Sequence, residues 1–270
     1  TGVQTCALPI SLGKQFVIPA PDSNLVPQGD EAVDPLTSRR GFWVGEAQAD
    51  AARRHNATVL DEATTVVRVL EAAIRRNADR LLTRDTVARL LETLRASQPA
   101  VVEQVVPGVL TVATIHRSLQ ALLREGVPIR PLAELLEIMA DHAADRPDPI
   151  QLAETVRRHI ARTICRRARD PQGRLPTVRL TAAAIDAILD DPGRRGAASI
   201  VAGVRRAVRP GTERGAAPVV IVPGATRLGV RDALARHIPG IQVLAEEEIT
   251  DEPRVDLFAT LGTEELSRAA

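Results

Sequence analysis

Glu246, Glu247 and Glu248 come one residue after the strand-like segment Ile241–Leu244, and a pair of carboxylates there could divide acid and base roles or hold a divalent cation. After a strand, adjacent carboxylates are ordinarily just solvated. Gly224 opens a second possibility, because VPGATRLG comes straight after the strand-like PVVIV. Helix N-termini behind such turns bind anions. A phosphate loop of the GxxxxGK[ST] type needs a lysine that this segment lacks, so a plain strand-to-helix turn is the simpler reading. An α/β enzyme with its site near Gly224 and Glu246 is carried as one alternative.

The other reactive side chains are dispersed. His55, His116, His142, His159 and His237 show no His or Cys partner at metal-ligand spacing. Cys165 has no activating neighbour, and no serine sits in a GxSxG elbow. Arginines cluster at Arg157–Arg158, Arg166–Arg167–Arg169, Arg194–Arg195 and Arg205–Arg206. They could bind phosphates, but acids interrupt them and no aromatic stacking platform accompanies them. Solvated faces account for them. An Arg-rich helical nucleic-acid binder is the second alternative, and it requires one continuous basic face. The sequence implies no cofactor, no metal and no nucleic-acid partner.

Composition narrows the class. Of 270 residues, 44% are hydrophobic, 26% charged and only 1% aromatic, so the core must be built from Ala, Val, Leu and Ile. A net charge of +1 gives no global field to attract nucleic acid or membrane. Two cysteines, Cys6 and Cys165, make no disulfide framework and fit a reducing compartment. No apolar run reaches the roughly 18 residues of a membrane span.

The elements that must position these groups fall into blocks. Residues 1–11, TGVQTCALPIS, read as non-native adapter sequence and are set aside with Cys6. Gly13 to Ile18 reads as a strand, Pro19 to Asp34 as a loop, Glu46 to His55 as a short helix and Thr58 to Leu60 as a strand. Asp61 is an N-cap for a long helix through Leu82, with Val66, Val67, Leu70, Ala73 and Ile74 on its buried side. Thr83 caps the next helix, over Val87, Leu90, Leu91 and Leu94, and Pro99 opens a short one. The stretch Val105 to Arg130 carries Leu110, Ile115, Leu119, Leu122 and Leu123 as one apolar stripe. Gly126 and Pro128 stop that helix, and a second follows at Pro131–Asp145. A fifth runs from Pro149 to about Ala168. Beyond it come a strand at Leu175–Leu180, a helix capped by Thr181, a Gly/Arg loop at Asp191–Gly196, a helix at Ala197–Val208 and a mobile loop at Arg209–Ala217. The strand PVVIV, the helix Arg227–His237 and the strand Ile241–Leu244 imply a parallel pair. A last strand at Arg254–Leu261 lies at a sheet edge. The expected fold is α+β in several subdomains: a small α/β N-terminal part (a partial first subdomain with an inserted one, 12–61), a helix completing the first subdomain (62–82), an all-helical middle (83–165) and an α/β C-terminal subdomain (166–270).

Two strings go further. HRSLQALLREGVPIRPLAELLEIMADHA and the following DPIQLAETVRRHIARTIC closely resemble the cytoplasmic domain of the large export-gate proteins of type III secretion, the FlhA/InvA/HrcV family. VDPLTSRRGFWV, Val33 to Val44, is similar to that family's VDPxF segment, with Trp43 at its tryptophan. The resemblance implies a bacterial inner-membrane export gate whose membrane half lies upstream of this fragment. Its cytoplasmic domain would form a nine-subunit ring, a homo-oligomer without enzymatic activity, beside other export-gate proteins. Its implied partners are export chaperone–substrate complexes and the stalk of the export ATPase complex. The implied docking cleft uses the Asp and Phe of VDPxF and a Thr of the long helix. These fall on Asp34, Thr37 and Arg68, so the acidic anchor is kept and the aromatic one is not. Phe42 and Trp43 stand close enough in sequence to substitute as apolar anchors.

Overall fold

With three phenylalanines and one tryptophan, this chain fills its interior with aliphatic side chains, and the pattern of those side chains sets the layers. The computed structural model describes residues 11, 13–20, 23, 26–37, 39–143, 148–190, 195–238, 240–249 and 254–262. Most of the adapter-like segment and most of the Gly/Arg loop at 191–196 lie outside the described residues.

The N-terminal unit is an antiparallel sheet of β1 (Gln15–Ile18), β2 (Asp30–Val33), β3 (Arg40–Val44) and β4 (Thr58–Leu60), in the order β2-β3-β1-β4. Alternation sends Val17, Phe42 and Val44 to one face, where Ala49 and Ala52 of α1 (Glu46–Arg54) pack. Phe16, Ile18, Trp43 and Leu60 go to the other. Strand β2 lies inside the segment expected to be loop. Its sequence, Asp-Glu-Ala-Val, has no apolar period, and it is held as an edge strand by backbone pairing to β3.

Asp61 does cap α2 (Glu62–Arg76), accepting from the Thr64 amide at 2.7 Å. Two expectations for this helix fail. Asn77 leaves helical geometry, so a separate turn, α3 (Ala78–Leu81), replaces the run to Leu82. The buried residues are Thr65 and Ala72, whereas Val66, Val67, Leu70 and Ile74 are 46–61% exposed. The helix is rotated because Arg68, opposite the aliphatic stripe, reaches inward to a buried carboxylate.

The middle is helical: α4 (Arg84–Ser97), α5 (Pro99–Val105), α6 (Val112–Arg124), α7 (Leu132–Asp141), α8 (Pro149–His159) and α9 (Ala161–Ala168). Thr83, Thr111 and Asp148 cap α4, α6 and α8 through side-chain oxygens. Leu110, Ile115, Leu119 and Leu122 are fully buried, and Gly126 takes the left-handed conformation (φ 70°) that stops α6. The single helix expected from Pro149 to Ala168 is two, broken where Ile160 turns to φ −97°, ψ 17°.

The C-terminal unit is a parallel sheet of β5 (Leu175–Leu180), β6 (Val219–Val222), β7 (Gln242–Ala245) and β8 (Val255–Leu261), in the order β7-β6-β5-β8. Helices α10 (Ala182–Asp190), α11 (Arg195–Glu213) and α12 (Arg227–Ala235) cover one face, over Val178, Val220 and Val243. Leu175, Val219 and Leu244 point the other way, into the core of the helical middle. The sheet is thus buried on both sides, which is why PVVIV reads as a continuous apolar run. α11 absorbs residues 209–213, expected to be loop. Gly211 there lies close on Pro176, where a side-chain Cβ would come within 3.1 Å of the proline, and the Thr212 hydroxyl donates to the Arg209 carbonyl at 2.8 Å.

Candidate functional site

The residues singled out in the sequence converge in part. Asp34 stands where the chain leaves β2, and its amide donates to the Arg39 carbonyl at 2.8 Å, closing the turn into β3. Its carboxylate is 1% exposed. Arg68 of α2 forks onto it, Nε to Oδ1 at 3.1 Å and Nη2 to Oδ2 at 2.6 Å. The Thr37 amide donates to Oδ2 at 3.1 Å, and the Thr37 hydroxyl donates to the same oxygen. Burial pushes the Asp34 carboxyl up, but the hydrogen bonds and charge of Arg68 with those of Thr37 outweigh it, and the group is held below its ordinary value of 3.8. Thr37 and Arg68, the two departures from the family pattern, therefore sit on one carboxylate. Asp34 ties the β2–β3 turn to α2, with its acceptor sites occupied.

Phe42 and Trp43 do not join them. Phe42 is buried beneath α1 and Trp43 is fully buried on the opposite sheet face against Phe16, ring centroids 5.2 Å apart. Successive residues of a strand point to opposite faces, so the pair cannot serve together as exposed apolar anchors. The expectation that they substitute for the missing aromatic is corrected on that ground.

The pattern also missed a buried ionic cluster. Arg227, at the start of α12, donates to Glu125 at the end of α6 (2.7 and 3.1 Å) and to Glu154 of α8 (Nε to Oε2, 2.7 Å). Arg157 of α8 pairs with Glu125 at 3.0 Å and Glu248 at 3.1 Å. Glu248 also accepts from the Ala245 amide at 2.7 Å. Burial pushes the Glu125 carboxyl up, but Arg157 and Arg227 more than reverse it and hold it below the usual range. Burial likewise pushes the Arg227 guanidinium down, and Glu125 and Glu154 more than reverse that, leaving it raised. Arg157, read as solvated, and Glu248, read as part of an acidic run, are thus partners across two subdomains.

This geometry bears on the alternatives. Glu246 is half exposed and faces Arg179 at 3.5 Å, while Glu248 is buried in the cluster, so the acidic run is not a convergent acid–base pair. Gly224 lies in a 3-10 turn under the Glu247 carboxylate, an unfavourable neighbour for phosphate. Cys165 is buried, its thiol 3.6 Å from the Glu248 carbonyl. His142 and His159 lie 4.8 Å apart, ring to ring, and no group of three potential metal ligands occurs among the described residues. Arginines 157 and 227 are paired inside the protein and contribute nothing to a basic surface.

The FHIPEP family profile matches residues 1–254. The chain belongs to the FHIPEP family. The flagellar biosynthesis protein FlhA of Escherichia coli K12 is 30% identical over 242 residues, 87% of this chain and 35% of FlhA. The chain thus spans about a third of the length of its curated FHIPEP relatives. Among solved structures, the nonameric SctV-C of EPEC superposes with a TM-score of 0.75 at 17% identity, over 93% of this chain and 79% of that one. Chlamydia pneumoniae CdsV, solved in complex with CdsO, superposes with a TM-score of 0.73 at 17% identity, over 92% and 75%. The FHIPEP fold therefore accounts for the α+β architecture described above. Among the described residues, no helix is long and apolar enough to cross a membrane.

Proposed function

We propose that this chain is the part of a type III export gate, flagellar or virulence, that docks export chaperones with their substrates on the cytoplasmic side of the bacterial inner membrane. The observation that carries the reading is the FHIPEP match across residues 1–254. Assembly is as a ring of identical copies, supported by the likeness to nonameric SctV-C, and contact with the export ATPase complex and the other gate proteins belongs to the same reading. The mechanism is binding and handover, with no covalent step. The docking region is the β2–β3 turn with α2, where Asp34, Thr37 and Arg68 meet. Asp34 acts by fixing the shape of that region, and Thr37 and Arg68, both partly exposed, offer the surface.

The test is capture from the source cell's lysate with residues 12–270 as bait, comparing wild type with Asp34→Asn and Thr37→Arg, each folded by circular dichroism. Recovery of small acidic chaperones with export substrates, reduced by both variants, supports the site. Equal recovery by all three baits removes the site and keeps the platform. Nucleic acid, or no export component, sinks the reading.

A further inference from the structure

We propose that His142 and His159 together hold one divalent transition-metal ion, of the zinc, nickel or copper(II) class, at the meeting ends of α7 and α8. His142 is the residue on which α7 ends, and His159 is the last residue of α8. They are 17 residues apart in the sequence, a spacing that signals nothing. The packing of α7 on α8 brings their rings to 4.8 Å, centre to centre, inclined at 65°. The backbone fixes the tautomer of both. His142 Nδ1 lies 2.9 Å from the Ile138 carbonyl and His159 Nδ1 2.9 Å from the Thr155 carbonyl, four residues back in each case. A carbonyl oxygen only accepts, so each Nδ1 carries the proton and donates it. Each neutral ring therefore presents Nε2 with its lone pair, and among the described residues neither Nε2 has a hydrogen-bond partner. Metal-bound histidines use this same division, with one ring nitrogen tied to a carbonyl or carboxylate and the other on the ion.

Spacing, setting and ligand type agree on the class of ion. Two imidazoles on one tetrahedral ion, at about 2.0–2.1 Å per bond, have ring centres about 5 Å apart, close to the 4.8 Å seen. Both rings stand at helix C-termini, where unsatisfied carbonyls concentrate partial negative charge and favour a cation. Asp141, exposed beside His142, adds a full negative charge, while Arg158, next to His159, donates to the Thr155 hydroxyl at 3.1 Å. Imidazole nitrogen suits zinc, nickel and copper(II), whereas magnesium and calcium take oxygen ligands. His142 and His159 are exposed, so the remaining coordination positions stay with water and the ion exchanges with solvent. His116 offers no such donor, because its Nε2 is engaged by the Leu82 carbonyl at 2.8 Å. The bound ion would clip the end of α7 to the end of α8.

The test is calorimetric titration of zinc chloride into the 270-residue chain, prepared without an affinity tag and in a Cys6→Ser background. His142→Gln, His159→Gln, the double variant and the control His55→Gln are compared with it, each folded by circular dichroism. All three histidines are exposed, so the substitutions leave the core intact. One zinc per chain is expected in the parent and in the control. Each single variant should bind at least about tenfold more weakly, and the double variant no more weakly than either single one, because one imidazole cannot chelate. Magnesium chloride should give no saturable heat under the same conditions. Zinc binding retained in either single variant, losses that add in the double variant, or no saturable zinc binding in the parent would each overturn the proposal. One zinc per two chains would place the ion between copies and overturn it too.

Discussion

Asp34 and Arg227 show how one charge can organise a neighbourhood. The folded Asp34 carboxyl binds a proton less readily than the unfolded one, so its contribution is complete above the ordinary value of 3.8 and is lost as pH falls through the depressed folded value. Asp34→Asn leaves Arg68 facing a neutral amide and is expected to cost about 2 kcal/mol at neutral pH, or roughly 4–8 °C in melting temperature. Urea titrations should show that deficit narrowing as pH is taken below about 4. A deficit that stays constant with pH would refute the pairing as its cause. Arg227→Met removes the cation shared by the part-buried Glu125 and Glu154 carboxylates and leaves Glu125 with Arg157 alone, and a loss of about 3–5 kcal/mol is expected. Adding Glu125→Gln should then cost less than it does in the wild-type background; strict additivity in that cycle would mean the two do not interact.

At the scale of elements, helix caps and stripes were legible in the sequence because they depend on near neighbours. Asp61, Thr83 and Gly126 each do what their residue types favour. The stripe rule identified the buried face of α6 and misassigned that of α2, since it reports only that an aliphatic face wants cover, not whether cover is present. The same limit hid the site: Asp34, Thr37 and Arg68 were named, but their meeting depends on the rotation of α2, which no spacing encodes. Strand β2 was missed because an edge strand can be held by backbone bonds with no apolar signal. Two truncations separate the helices. Leu119→Ala should cost about 2–5 kcal/mol through its cavity, while Leu70→Ala in this chain should stay within about 0.5 kcal/mol. Similar losses at the two positions in denaturant unfolding would contradict the exposure of α2.

Taken whole, the chain holds together through contacts of long sequence separation. Arg227 and Glu125 are 102 residues apart, and Leu175, Val219 and Leu244 complete a core otherwise made by α4 to α9. The N-terminal sheet joins this body chiefly through α3, where the His116 ring meets the Leu82 carbonyl at 2.8 Å and Gln120 donates to the Asp79 carbonyl at 2.9 Å. Composition and periodicity could announce the helices and the buried strands, but not which arginine would find which glutamate. A chain of residues 83–213 retains the helices of the middle subdomain and lacks β6, β7, Arg227 and Glu248. It should keep helical circular dichroism yet unfold without a sharp urea transition. A sharp transition there would show that the sheet is dispensable.

The buried cluster also has an order in time. Glu125, Glu154 and Arg157 leave the ribosome well before Arg227 and Glu248, their partners from the sheet side. At 5–20 residues per second, the roughly seventy residues from Arg157 to Arg227 take about 4–14 s to translate. During that interval the nascent chain carries finished helices whose charged ends and apolar faces are still in water. Newly made copies thus pass through a period in which they are most open to mispairing with one another.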